Sequence, residues 1–169
     1  MRKQQKGFSL IELLIVVAII LIIAAIAIPN LMRAKMSAND ASAAASERSI
    51  ITGEVSYFAD YPTVGYTSLT ALGGTAGVAC VPSTTTACLI DSTLGSGLKS
   101  GYNFAVTTQI AAPSAVPNQF VTTGWPQSGT TGTRSYCSVD DGVVRTAVAG
   151  TITQVASYAA CQALLPMAN

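Results

Sequence analysis

Gly7-Phe8-Ser9-Leu10-Ile11-Glu12-Leu13 opens a run that carries no second charge as far as Ile28. From Phe8 to Ile28 there are 21 residues. As a helix they span about 31 Å, roughly the hydrocarbon thickness of a bilayer. A carboxylate inside such a span is costly and usually functional. Glu12 sits near one end. It is either a polar residue kept wet by the headgroups or a group placed to meet a positive charge on a partner, and its neighbours favour the second.

The residues before the run are basic: Arg2, Lys3 and Lys6. Basic residues on this side and a cysteine-bearing region on the other orient residues 1–6 toward the cytoplasm. A secretory signal has a shorter apolar core and a small-residue cleavage site after it. Here the core is too long, and Pro29-Asn30 leads on into more helix-compatible sequence. A plain single-pass anchor remains open at this point.

The rest of the chain is weakly charged. Only 10% of the 169 residues are Asp, Glu, Lys or Arg, well below the usual share for a globular protein. Mean hydropathy is +0.47. Without residues 1–7 there are six basic residues against eight acidic ones. No Lys/Arg stripe remains, so charge does not indicate a nucleic-acid partner.

All four cysteines, Cys80, Cys88, Cys137 and Cys161, follow the apolar run. Their even number favours two disulfides, for which three pairings exist. A metal site is the rival, but it would lack both His and the short CxxC hooks of zinc centres. Short loops close most easily, which favours Cys80–Cys88 and Cys137–Cys161. Such bridges place the second half in an oxidising compartment.

Lys6-Gly7-Phe8-Ser9-Leu10-Ile11-Glu12, followed by the apolar residues to Ile28, resembles the class III signal of type IV pilins in its short-leader type IVa form. The resemblance implies that residues 1–7 are a leader. A prepilin peptidase/methyltransferase would cut between Gly7 and Phe8 and N-methylate Phe8. Glu12 then becomes the fifth residue of the mature chain, the place of the family's assembly glutamate. Pro29 becomes the twenty-second, where the family commonly has proline. Cleavage creates an amine at the same helix end as Glu12, and a positive amine in apolar surroundings needs a counter-charge. That amine belongs to a neighbouring subunit or to the same chain.

The implied fold is α+β, the type IV pilin fold. A long N-terminal helix, 8–61, has a transmembrane and filament-core half at 8–28 and an amphipathic half beyond it. It packs on an antiparallel sheet of about four strands. Residues 62–100 form the connecting loop, and 101–169 hold the sheet and the disulfide-bounded C-terminal region. The Cys137–Cys161 loop resembles the disulfide-bounded D-region of pilins in position.

The helix reading past Ile28 rests on Leu31, Ala34, Ala38, Ala41, Ala45, Arg48, Ile51/Thr52, Val55 and Phe58/Ala59 at helical spacing. Pro29 is expected to break or kink one long element, with Asn30 placed to cap a restart. Arg48 interrupts the stripe, and its aliphatic stem can lie over it. Arg33 and Lys35 mark the outer headgroups or meet Asp40, Glu47 or Glu54 of neighbouring subunits. Tyr61-Pro62 ends the helix. Strands are read at 101–109, 118–125, 133–138 and 143–147, with Asp140-Asp141-Gly142 turning the last hairpin. Such a sheet needs an apolar cover on one face, supplied by the upper helix. Tyr57, Phe58, Phe104, Phe120 and Tyr136 are core candidates. A short helix is expected around 155–164.

No catalytic constellation is legible. The chain has no His, and Asp140-Asp141 reads as a turn, with calcium binding the alternative. No cofactor or metal is expected, and an aromatic electron path is not indicated. The glycine- and threonine-rich connector lacks the order of a phosphate-binding loop.

The resemblance implies a structural subunit that polymerises into type IV pili, filaments used in adhesion, twitching motility, DNA uptake or surface sensing. Its implied partners are other copies in a helical homopolymer, the processing enzyme, an inner-membrane assembly platform and minor pilins. The precursor would sit in the bacterial inner membrane and the mature chain in an extracellular filament. The alternatives are a minor pilin or a type II secretion pseudopilin and, from a different class, a monomeric anchored binding module.

Overall fold

The computed structural model describes residues 8–75, 77–147, 154–155 and 157–167. The expected leader, including Gly7, lies outside the described residues. Helix α1 spans Leu10–Asp60. Short helices follow at Leu69–Leu72 (α2) and Ser92–Gly95 (α3). Five strands come next: β1 (Leu98–Lys99), β2 (Tyr102–Gln109), β3 (Gln119–Pro126), β4 (Ser135–Val139) and β5 (Arg145–Ala147). Helix α4, Tyr158–Gln162, closes the described chain. The chain divides into two compact units, the boundary falling between Lys35 and Met36 within α1.

The first unit is apolar helix. From Leu10 to Ile28 nearly every side chain is exposed, and the most apolar window of α1 has a mean hydropathy of 3.3. By length and composition it is able to cross a membrane. Pro29 lies inside the helix. Its missing N–H removes one rung of the hydrogen-bond ladder, but the helix does not stop there.

In the second unit the rest of α1 packs on the sheet. The helix ends where Tyr61 N donates to Tyr57 O at 2.8 Å, immediately before Pro62. The enclosed face of α1 differs from the one its apolar spacing suggested. Ala43, Ala44, Ser46, Glu47, Ile50, Ile51, Gly53, Glu54 and Tyr57 are buried. Ala38, Ala41, Ala45, Arg48, Thr52 and Val55 are exposed. Following apolar residues alone selects the outer face, because the inner one contains two carboxyls.

The sheet is a meander in the order β1-β2-β3-β4-β5, every pair antiparallel. The expected four strands are joined by the two-residue β1, which lies in the segment read as connector. Strand β2 runs its full length along β3, from Tyr102↔Pro126 to Gln109↔Gln119. The alternation of side chains across a strand sorts the core into two layers. Tyr102, Phe104, Phe120 and Tyr136 join Tyr57 and Ile50 of α1. Phe58 is only half-buried and packs its ring on Tyr66, with centroids 4.8 Å apart.

The opposite face is covered as well, which the one-sided reading of the sheet did not anticipate. Val121, Cys137 and Val139 pack against Cys161 of α4, with Val155, Tyr158 and Leu164 beside them. The Cys137–Cys161 disulfide, with Cα atoms 5.9 Å apart, fastens α4 to β4. The Cys80–Cys88 disulfide closes a loop in the connector. Gly142 takes φ +73° between β4 and β5, a left-handed conformation that glycine adopts without a steric penalty.

Candidate functional site

The N-terminal end of α1 is built by four residues in a row. Ser9 immediately precedes the helix, so Leu10, Ile11 and Glu12 occupy its first three positions. The first backbone N–H groups of a helix have no partner within it. Glu12 reaches back, and its Oε2 accepts a hydrogen bond from Ser9 N at 2.8 Å. This is one half of a capping box, in which the third helical residue covers the amide of the capping residue. The negative side chain also stands at the positive end of the helix dipole. Ser9-Leu10-Ile11-Glu12 has the Ser-x-x-Glu spacing of that box, a signal in the sequence that a reading of Glu12 by its charge alone does not use.

Phe8 is next in line and 78% exposed. Its backbone nitrogen is one residue from the amide that Glu12 already holds. The Oε1 atom of Glu12 makes no hydrogen bond among the described residues. The site thus combines an exposed aromatic residue, a carboxylate with one oxygen engaged, and an exposed apolar helix behind them. Pro29 lies almost five turns further along that helix and is not brought to the same place.

The other sequence candidates are used within the fold. Asp140 accepts the Tyr158 hydroxyl, and Asp141 pairs with the Arg145 guanidinium. Arg145, followed by the Val143 amide, holds the Asp141 carboxyl below the usual carboxylate range against the effect of burial. The two adjacent acids therefore face different partners. Among the described residues no group of three or more metal-ligating side chains converges.

Nor are Asp40, Glu47 and Glu54 set out to meet basic residues of a neighbour. Asp40 Oδ1 accepts from Tyr102 OH at 2.5 Å and Thr133 N at 3.0 Å, and its Oδ2 accepts from Thr133 Oγ1 at 2.6 Å. Asn39 Nδ2 donates to Thr131 O at 2.7 Å beside it. These bonds latch α1 to the loop between β3 and β4. Burial, followed by the hydrogen bond to Asp40, raises the Tyr102 phenol above its ordinary value. No local sequence signal foretells this latch, since its partners are 62 and 93 residues apart. Glu47 and Glu54 are fully enclosed. A surface groove of about 340 Å³ is lined by Arg48, Ser49, Thr52, Gly53, Ser56 and Leu89 and brings no acid and base together.

Residues 2–28 match the prokaryotic N-terminal methylation motif. The chain is 63% identical over 38 residues to the type IV wide pilus major component PilA4 of Thermus thermophilus, a stretch covering 22% of this chain and 29% of that protein. It is 42% identical over 57 residues to the type IV major pilin protein PilA of Myxococcus xanthus, covering 34% and 26% respectively. The matches thus span less than a third of either relative. No solved structure matches the chain at a significant level.

Proposed function

We propose that this type IV pilin-like chain is a structural, polymerising subunit of a type IV pilus. Residues 1–7 are removed between Gly7 and Phe8, and Phe8 is N-methylated. The apolar half of α1 rests in the inner membrane until assembly and then packs against other copies. The sheet and the two disulfide-closed segments make the filament exterior. The processing peptidase/methyltransferase, the inner-membrane platform and minor pilins are its partners in that cycle.

The single observation that carries this reading is Glu12. It is the one charge in the exposed apolar stretch of α1 up to Ile28, it stands at the end where processing would create an amine, and among the described residues one of its oxygens is unengaged. Lipid tails are as apolar as the side chains, so burial alone gives little net drive to helix association there. A charge-assisted contact between Glu12 and a Phe8 amine sets register where packing does not. The names of both relatives are those of major pilus components, which supports the major role over the alternative of a minor pilin or secretion pseudopilin.

Intact mass and N-terminal sequencing of sheared surface filaments test it. The expected result is an abundant chain beginning at methylated Phe8 and carrying two disulfides. Trace abundance would move the chain to the minor-pilin or pseudopilin role. An intact N-terminus with no polymer would overturn the reading in favour of an anchored module.

A further inference from the structure

Two acids of α1 have no part in the assembly reading and sit in the interior of the second unit. Glu47 and Glu54 are each fully buried. They are seven residues apart, which is two turns and about 10 Å along one face of the helix. Thr122 Oγ1 of β3 donates to Glu47 Oε2 at 2.7 Å. Thr67 N of the connector donates to Glu54 Oε2 at 3.1 Å. Among the described residues the Oε1 atom of each has no hydrogen-bond partner.

Among the described residues, what surrounds these carboxyls is neutral or acidic. Glu47 faces Thr122, Gly124 and the Phe104 ring from the sheet. A Cβ on Gly124 would stand 2.7 Å from Glu47 Oε1, so the bare backbone of β3 makes the space for that oxygen. Glu54 faces Thr67 and the Tyr66 phenol from the connector, and Asp140 acts on the same phenol. Lys99 and Arg145 are paired with Asp91 and Asp141. Arg48, beside Glu47 in sequence, is on the exposed face. An ionised carboxylate buried without a cation is far costlier than a protonated one. A single hydrogen bond to each does not offset that cost.

We propose that Glu47 and Glu54 are two proton-binding sites that make the seating of α1 on the sheet and connector dependent on pH. Both carboxyls are protonated in the folded chain. Release of the protons in alkaline medium loosens the helix from β3 and from the connector. The inference stands apart from the assembly reading, since both residues belong to the second unit and that reading assigns them no role.

Burial pushes both carboxyls up from the ordinary 4.5 to about 8, each lowered in part by its hydrogen bond. The folded chain therefore holds these protons more tightly than the unfolded chain. Below 4.5 both states are protonated and the contribution to stability is fully present. Between 4.5 and about 8 the unfolded chain gives up protons that the folded chain keeps, and stability is lost as pH rises through that window. Each site raises the unfolding equilibrium constant about tenfold per pH unit there, and the two together about a hundredfold.

The test uses the full-length mature chain in detergent micelles. Infrared spectroscopy at about pH 6.5, where exposed carboxylates are ionised, should show the carbonyl stretch of protonated carboxyls. Glu47→Gln and Glu54→Gln should each remove about half of it. Absence of the band in the unmodified chain overturns the proposal. So does a band undiminished in both variants, which would belong to another acid. Urea unfolding followed from about pH 5 to 8 should flatten in the double variant. A slope equal to that of the unmodified chain would also overturn it. If a variant does not fold, the urea midpoint of the unmodified chain decides, since one that does not fall from about pH 5 to 8 overturns the proposal.

Discussion

Placing a methyl group on Gly124 probes how closely α1 is seated on the sheet. Gly124 lies in β3, paired with Phe104 of β2 and Tyr136 of β4, and its backbone needs no left-handed angle. An added Cβ would stand 2.7 Å from Glu47 Oε1 and 2.9 and 3.2 Å from two carbons of the Phe104 ring. Ordinary contact begins near 3.4 Å, so a neighbour must retreat by half an ångström or more. The carboxyl is tethered to Thr122 and the ring is held between strands and helix, so neither moves freely. Overpacking of this kind costs about 1–3 kcal/mol. Reducing the freedom of the unfolded chain returns about 0.4–1 kcal/mol. The expected net loss for Gly124→Ala is on the order of 1–2 kcal/mol, read as a lower urea midpoint at unchanged slope. Combining it with Phe104→Leu should give less than the sum of the two single losses, because the smaller side chain vacates the ring edge. A Gly124→Ala chain as stable as the unmodified one would refute the close seating of Glu47 and Phe104 on β3.

Glu12→Ala should leave leader removal and methylation intact while sharply lowering filament yield; normal yield with unchanged subunit packing in sheared preparations would remove Glu12 from the assembly reading. Replacing Cys137 and Cys161 together by Ser should cost about 3 kcal/mol, as expected for opening a loop of this length, and a thermal midpoint unchanged from the oxidised chain would contradict the stapling role of that bridge. Tyr102→Phe removes the hydroxyl held by Asp40 and by the Arg134 carbonyl and should destabilise by about 1.5–3 kcal/mol; calorimetry showing no shift would mean that this hydroxyl adds nothing to the latch of α1 onto β2 and the loop between β3 and β4.

The parts of the fold that depend on neighbours in sequence are the parts that can be read from it. The uncharged run to Ile28, the stop at Pro62 and the turn at Gly142 are each specified within a few residues. The two long strands announce themselves by alternation, and β1 is too short to do so. The inner face of α1 is different. Its apolar spacing points outward because Glu47 and Glu54 occupy inner positions, and their burial depends on Thr122 and Thr67, one of them 75 residues away. The same holds for Asp40, whose partners arrive only with β2 and the loop after β3. At the N-terminus the gap was of another kind. The Ser-x-x-Glu spacing is local and legible, but the charge of Glu12 points to a distant partner and masks the backbone amide it covers.

The order of the strands in the sheet is their order in the chain, and this fixes what a growing chain can complete at each stage. Each new strand finds its partner already made, so β2 to β5 can be laid down one after another from the helix outward. The last piece is different: Val121 and Val139 remain uncovered on the far face until α4 arrives and Cys161 reaches Cys137. In a chain delivered N-terminus first, every strand precedes α4, so this face of the sheet would be the last to be covered. Truncation near the C-terminus would leave it bare and the chain prone to self-association through the sheet face rather than through the helix.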